Sequence, residues 1–374
     1  MWCHSMKLKI GLIRNIQLSS VEITTQDQYF LSSSNSDFKE ELRLNSKLNI
    51  KSNQNKVQIF FDDQLLGEFD TVYAKKKTKD TCVFTIVGKN PSFRKRSYYG
   101  EFEIFSNKGK LTIVNNIDIE KYLIGVLESE VGLHQTKDFY KVHSIISRTY
   151  ALKNLYKFIH EGYNLTDLVN CQVYKGKMYN NKNIIDAVRE TRNLILVDEN
   201  MDYITAAYFS NSGGQTNNVE DVWLKALPYL RSIHDPYSIY GYNYEWEKTI
   251  SKKSWLNYLN KKFQFPIDNP IAVNSACNFK QEIRHKYLID WMYRIPLTQV
   301  RKDWKLKSTY FSIFDIGNDQ LTLKGKGFGH GVGLSQEGAM KMIDLGYDFL
   351  DVLRFYYTDV HLIDRRMRDF YLID

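Results

Sequence analysis

The apolar residues of this chain change their period near residue 116, and that change limits the folds open to it. Before it lie short runs rich in β-branched and aromatic residues: KLKIGLI, QYFLSS, KVQIFF and CVFTIVG. Clusters of Asn, Asp, Ser and Gly separate them, which is the pattern of strands joined by turns. Residues 99–105 and 110–114 predict a hairpin across Ser106-Asn107-Lys108-Gly109. After Asn116 the spacing becomes helical, with Ile119, Tyr122, Leu123 and Val126 on one stripe. Thr136 is placed to cap a second helix, expected to run to about His160, with Tyr156 and Ile159 on its apolar face. Gly162 is a natural stop for it.

A third helix is expected over 183–192. A strand pair, 194–197 and 203–209, is expected across Asp198-Glu199-Asn200. Further on, 254–263 reads as a helix, and Ser335 can cap another over 336–345. A last helix is expected over 348–357, followed by a solvated basic tail with Arg365, Arg366 and Arg368. The fold class is therefore α+β. A β-rich platform or accessory domain (1–115) precedes a mixed α/β part (116–374). The latter holds an insertion at about 238–300 in which no motif is visible from 264 to 294.

The formal charge is +8, which favours anionic partners. Much of the excess is local, in Lys75, Lys76, Lys77 and Lys79 and in Arg94, Lys95 and Arg96, and such runs read as solvated loops. Nucleic acid is not the expected partner, because no RNP, helix-turn-helix or zinc-finger pattern is present. The cysteines Cys3, Cys82, Cys171 and Cys277 form no CxxC, which argues against a zinc ribbon or a disulfide scaffold. No run reaches the ~18 apolar residues of a membrane span. MWCHS, before a second methionine at position 6, lacks the apolar core of a signal peptide. A signal segment is expected to be missing from this sequence.

Two stretches stand out for chemistry. Ser210-Asn211-Ser212-Gly213-Gly214-Gln215-Thr216 is a turn dense in hydroxyls and backbone donors, whose glycines let the chain approach a ligand. In the second, glycine occupies every second position from Gly325 to Gly333. It fits neither the P-loop nor GxGxxG. Alternating glycines strip one face of an extended segment and leave His330 as the one ionisable group in 328–336.

Four separated stretches, in order, resemble the stage II sporulation protein D (SpoIID) family. They are Tyr122-Leu-Ile-Gly-Val-Leu-Glu-Ser-Glu130 with Ser147-Arg-Thr-Tyr-Ala151; Cys171-Gln-Val-Tyr-Lys-Gly176; Tyr208-Phe-Ser-Asn-Ser-Gly-Gly-Gln-Thr216; and Gly327-Phe-Gly-His-Gly-Val-Gly-Leu-Ser-Gln-Glu-Gly-Ala339. The resemblance covers about 115–235 and 301–360, and more loosely the N-terminal part. It implies an α+β enzyme of the cell envelope that acts on peptidoglycan by lytic transglycosylation, mostly on strands stripped of stem peptides. It carries the catalytic glutamate onto Glu130 and places the Ser-Gly-Gly turn and the Gly-His-Gly segment around a glycan groove. Some relatives are amidase enhancers, so a cell-wall amidase is the alternative partner. Some bind a structural zinc, but here only Cys171 and His160 remain, with Thr166 and Asn170 where further ligands would stand. No zinc or other cofactor is therefore expected, since two ligands do not make a tetrahedral site.

The residues are compatible with that chemistry. A glycosidic acid must be protonated near neutral pH, and an apolar pocket favours that. Glu130 ends an apolar helix, while Glu128, its rival, points to another face. Arg148 can pair with a carboxylate or anchor the groove. His330 can steer a sugar hydroxyl or bond the Ser-Gly-Gly turn. Ser210 and Ser212 suit substrate hydrogen bonding better than nucleophilic attack. Gln172 and Tyr174, with Gly213, Gly214, Thr216, Gly331, Ser335 and Gln336, complete the expected substrate-binding set.

Overall fold

Lys108 and Gly109 both take positive φ, 50° and 76°, the mirror-image turn that joins two twisted strands. The computed structural model describes residues 6–34, 36–77, 82–177, 180–223, 225–289 and 293–371. Lys79, Cys3 and the MWCHS start lie outside the described residues. The chain is α+β and divides by its contacts into two compact units, 1–195 and 196–374. The residue 115/116 boundary falls inside the first unit, within a strand that runs directly into a helix.

The strands of the first unit are β1 (Lys7–Leu12), β2 (Ser20–Thr25), β3 (Tyr29–Ser33), β4 (Lys39–Leu42), β5 (Lys47–Asn53), β6 (Lys56–Phe61), β7 (Gln64–Phe69), β8 (Thr71–Lys76), β9 (Val83–Asn90), β10 (Ser92–Tyr99), β11 (Glu101–Asn107), β12 (Lys110–Asp118) and β13 (Leu165–Thr166). Among the described residues they form two sheets, ordered β13-β1-β12-β11-β8-β3-β4 and β10-β9-β2-β5-β6-β7. Alternate residues such as Val21, Ile23, Leu48, Ile50, Ile104 and Ile113 are almost fully buried between them. Each contributes about 1.5–3 kcal/mol by leaving water. The basic runs are not loops. Lys75 and Lys76 close β8, and Arg94 to Arg96 lie in β10, where Arg96 meets the buried Asp167 at 3.3 Å. β8 is paired on both edges, by β11 and β3, whereas β10 is the edge strand of its sheet and pairs only with β9, its register shifting between Phe93 and Arg96.

The helices of this unit are α1 (Ile119–Val131), α2 (Lys137–Lys153) and α3 (Lys182–Glu190). Asp118 caps α1 through Oδ1, which accepts from the amides of Glu120 and Lys121. Thr136 caps α2 as its position predicts. However, α2 ends at Lys153, a full two turns before His160. The Asn154 side chain donates to the Tyr150 carbonyl and competes with the next helical bond. Tyr156 and Ile159 are consequently exposed, not part of the buried stripe.

At the start of the second unit, β14 (Leu194–Val197), which begins two residues before the boundary, is followed by a single bridge, Val197 to Tyr203, not a full hairpin. The expected second strand shrinks to β15 (Tyr208–Phe209), which pairs instead, in parallel, with a distant segment. The helices are α4 (Val219–Val222), α5 (Lys252–Phe263), α6 (Pro270–Cys277), α7 (Leu297–Asp303), α8 (Gln336–Asp344), α9 (Phe349–Tyr356) and α10 (Arg365–Tyr371), and the later strands are β16 (Glu245–Ser251), β17 (Phe311–Gly317), β18 (Gln320–Lys326), β19 (Leu334–Ser335) and β20 (His361–Asp364).

The 238–300 stretch supplies β16 to a sheet with β17 and β18, and its helices α5 and α6 pack against that sheet. The sheet runs β16-β18-β17, and Trp255, Leu259, Phe265, Ile313, Leu321 and Leu323 share its core. The basic tail is helical, and Arg368 lies over the Tyr203 ring at 4.1 Å while donating to the Met201 carbonyl. Ring stacking and a carbonyl acceptor hold this guanidinium against the protein. Among the described residues no helix is long and apolar enough to cross a membrane.

Candidate functional site

Glu130 sits in the last turn of α1, one residue before the helix ends and two before the Gly132 cap. It is half-buried, and its Oε1 accepts from the Val173 amide at 2.5 Å. Ser129, its neighbour, donates to the Gly125 carbonyl at 2.6 Å and accepts from the Lys175 amide at 3.1 Å. The last turn of α1 thus grips the 173–175 segment at two points. Gly125 is required for the approach: a Cβ there would lie 2.6 Å from the Gly176 carbonyl oxygen and from the Tyr174 ring.

The Tyr150 hydroxyl lies in the same neighbourhood. Its pKa is raised by burial first, then by Cys171, and then by the Glu130 charge. Glu128 is nearly fully buried on another side of α1, where its charge is felt by Tyr99 and Tyr140. Two carboxylates two positions apart on a helix cannot share one face.

Three residues of the expected substrate set in this unit are spent on the fold. Arg148 is 1% exposed. Its guanidinium grips both Glu120 oxygens, at 3.1 and 2.5 Å, and donates to Ser144 and to the Leu194 carbonyl. It is held in a buried ion pair. Gln172 is fully buried, with Tyr122 Oη donating to it at 3.4 Å. Tyr174 is buried between Tyr122 and Tyr98, and its hydroxyl donates to Asn115. Alternation along 172–174 turns these two inward and leaves Val173 to present its amide to Glu130.

The residues around Cys171 do not fit a zinc ion. Thr166 Oγ1 donates to Asn170 Oδ1 at 2.6 Å, the Thr166 amide reaches Cys171 Sγ at 3.5 Å, and Lys157 Nζ donates to the Asn170 carbonyl at 2.5 Å. A lysine ammonium beside the cluster opposes a second cation. His160 instead faces a cavity lined by Arg14, Thr112 and Lys110. Among the described residues, Cys82, Cys171 and Cys277 form no disulfide.

In the second unit, tertiary pairing brings the Ser-Gly-Gly turn and the Gly-His-Gly segment together. Asn211 and Phe328 exchange backbone bonds of 3.0 and 2.8 Å, Asn217 donates to the Gly331 carbonyl at 2.6 Å, and Leu334 to that of Ala207 at 3.0 Å. The 327–333 segment is not extended. Gly327, Gly329, Gly331 and Gly333 all have positive φ, so it winds closely against 207–217.

The ring of His330 packs against Phe209 and Trp223, each with centroids 5.3 Å away. Its Nδ1 accepts from the Val332 amide at 3.0 Å, and the ring also bonds the Tyr208 backbone. Burial, with Arg301 adding to it, lowers its pKa to about 4, which favours the neutral imidazole.

Ser212, Thr216 and Ser335 are also interior. Ser212 Oγ donates to Asp235 at 2.7 Å, Thr216 Oγ1 accepts from the Ile233 amide, and Ser335 Oγ caps α8 and accepts from the Ser212 amide. Burial raises the Asp235 pKa although Ser212, Tyr356 and the Ser238 amide all donate to it. Ser210 bonds Glu337 and Asn243, while Gln336 opens α8 half-buried. Of the expected set here, Gly213 and Gly214 line an open cavity.

Two residues of this network escape sequence reasoning. Glu337 bonds Ser210, Asn211 and both nitrogens of Asn243. Its position two residues after the Ser335 cap was the available signal. Arg284 donates to the carbonyls of Ser212 and Gln215, both at 2.6 Å, and lies over the Tyr310 ring. Burial pushes its pKa down to about 9, while these carbonyls favour the charged form. No local pattern marks it.

The SpoIID (stage II sporulation protein) family pattern matches residues 107–197, the stretch that holds Glu130, Val173 and Cys171. Stage II sporulation protein D of Bacillus subtilis (strain 168) is 30% identical over 264 residues, covering 67% of this chain and 75% of that one. The chain belongs to the SpoIID family. An uncharacterised protein of Brachyspira hyodysenteriae is 29% identical over 276 residues, 71% of this chain and 72% of its own. The amidase enhancer of Bacillus subtilis is 26% identical over 296 residues, but the match spans only 40% of its length. Membership of the SpoIID family gives the chain a role at the cell wall.

Proposed function

We propose that the chain is a peptidoglycan lytic transglycosylase of the cell envelope, with Glu130 as its single acid/base. The observation that supports this most directly is the Glu130 carboxylate itself: half-buried at a helix end and fixed through Oε1 by the Val173 amide. A buried neighbour, Glu128, faces elsewhere, so the site offers no paired carboxylate from α1 for a hydrolase.

One carboxyl group suffices for the reaction. Protonated Glu130 gives its proton to the glycosidic oxygen as the bond from the muramic anomeric carbon breaks. The resulting carboxylate then takes the proton of the muramic C6 hydroxyl. That oxygen bonds to the anomeric carbon and closes a 1,6-anhydro ring. The proton returns to Glu130, and no water is consumed.

The test is a digest of peptide-free glycan strands with products weighed by mass spectrometry. Wild type should yield anhydro-muramic ends and Glu130→Gln none. Ends carrying an added water would reject this mechanism. A second reading, a glycan-binding activator of a cell-wall amidase, draws on the likeness to the amidase enhancer. It would replace the first if wild type bound strands, cut none and accelerated an added amidase.

A further inference from the structure

A cavity of about 400 Å³ in the first unit is lined by none of the residues around Glu130. Three segments far apart in the chain meet in it. Arg14 and Gln17 come from the loop after β1, Asn107 and Lys110 from the β11–β12 hairpin, and His160 and Glu161 from a single 3-10 turn (Ile159–Glu161). Gly162, at φ +90°, turns the chain directly after it. Ile16, Phe105 and Leu111 give the cavity apolar walls.

The Arg14 guanidinium is fixed from two sides. Its Nε donates to Tyr163 Oη at 3.1 Å and its Nη1 to Thr112 Oγ1 at 3.0 Å, and Tyr163 and Thr112 are both buried. The Tyr163 ring lies on β1, so close that a Cβ at Gly11 would sit 2.8 Å from it. Glu161 accepts from the Tyr163 hydroxyl, and its Oε2 is 3.6 Å from Arg14 Nη2. That ion pair is too long for a hydrogen bond, so Nη2 keeps its donors for a ligand. Lys110 and His160 are exposed, and their side chains make no ion pair or hydrogen bond among the described residues.

Two cations, Arg14 and Lys110, face one carboxylate, Glu161, which leaves the cavity net positive. His160 can donate an N–H in either charge state. With Nε spent, Arg14 cannot present the Nε–Nη2 edge by which Arg148 grips Glu120. Its remaining donors and those of Lys110 and His160 come from separate elements. That suits the diverging oxygens of a tetrahedral phosphate better than a planar carboxylate. The exposed amides of Gln17 and Asn107 can bond hydroxyls beside such a phosphate. The mouth is polar and includes Glu161, whose side chain is 50% exposed and would be repelled by an anionic membrane surface.

We propose that this cavity binds a phosphodiester of a polyol-phosphate chain, with Arg14, Lys110 and His160 as its donors. The site holds the protein to an anionic polymer of the wall. It lies outside the glycan-cleaving reading and does not depend on it.

Calorimetry on the full chain tests this with a soluble glycerol-phosphate oligomer, an oligogalacturonate of the same length, and phosphatidylglycerol vesicles. The glycerol-phosphate oligomer should bind most tightly of the three, and excess inorganic phosphate should displace it. Lys110→Gln should weaken its binding roughly tenfold, as loss of one charge-assisted hydrogen bond does, and Lys110→Arg should retain most of it. Lys39→Gln removes the same charge from β4, at the edge of the same sheet and outside the cavity, and should leave the affinity as it is. Thermal midpoints should not move in any of these variants, because both lysines are exposed.

Equal affinity for the carboxylate oligomer, or equal losses from Lys110→Gln and Lys39→Gln, would reduce the binding to general charge attraction and overturn the proposal. So would a failure of inorganic phosphate to compete. Preference for the vesicles over the soluble oligomer would assign the phosphate to a lipid and reject the polymer. Failure of the two readings is separable, because binding is read without any glycan: an inactive wild type that binds the oligomer removes only the catalytic reading, and a glycan-cleaving one that does not bind it removes only this one.

Discussion

The Val173 amide donates to Glu130 Oε1 at 2.5 Å, and this one bond joins the second family motif to the end of the first. Glu130→Gln keeps an acceptor oxygen for that amide and removes the transferable proton. Cleavage of peptide-free strands should fall by about 10²–10⁴-fold, the usual contribution of a general acid/base group. Stability in urea should stay within about 0.5 kcal/mol, as for a near-isosteric change. A matching loss of stability would point to a structural role for the carboxylate.

Gly125→Ala should damage the fold without touching a reacting group. The added methyl meets the Gly176 carbonyl oxygen and the Tyr174 ring at 2.6 Å, both on the segment that presents Val173. Overpacking of this kind costs about 1–3 kcal/mol. Urea denaturation should show it, together with a fall in cleavage as the 173–175 segment moves off α1.

Arg148→Met is expected to destabilise the first unit strongly. It leaves Glu120, whose side chain is 15% exposed, without the guanidinium that holds both its oxygens. Breaking a buried pair from one side costs about 3–5 kcal/mol. Glycan affinity of the folded fraction should not change, because Arg148 is 1% exposed and its guanidinium is taken up by Glu120, Ser144 and Leu194. A variant of normal stability and weakened glycan binding would restore Arg148 to the groove.

Acid should weaken the fold through two histidines. Burial lowers the pKa of His143 to about 3, and burial together with Arg301 lowers that of His330 to about 4, both from 6.5. Between pH 6.5 and these values the unfolded chain binds protons that the native one refuses. The stabilisation is therefore complete above pH 6.5, is lost as pH falls, and levels off below the folded values. For His330 the total is roughly 3 kcal/mol at most. His330→Gln should flatten the stability curve between pH 6.5 and about 4, measured by urea denaturation at each pH.

Much of the local structure was readable from residues in order. The stripe of Ile119, Tyr122, Leu123 and Val126, the caps at Thr136 and Ser335, and the Lys108-Gly109 turn all depend on neighbours within a few positions. The end of α2 was not, because Asn154 competes through a side-chain bond that periodicity does not register. The site residues fared unevenly for a similar reason. A motif shows that Gln172, Tyr174 and Ser212 belong together with their neighbours, but not which of them face inward.

The sequence by itself determined the two periodicities, the strand-rich start, the helix that ends at Glu130, and the family to which the chain belongs. These are local patterns, each set by the backbone preferences of a short run. Only the tertiary structure decided that Val173 would meet Glu130 across 43 positions, that 208–217 would pair with 327–337, and that Arg284 would fasten the Ser-Gly-Gly turn. Those contacts depend on how distant segments bury their apolar faces together, and no run of neighbouring residues records which partner the packing will bring.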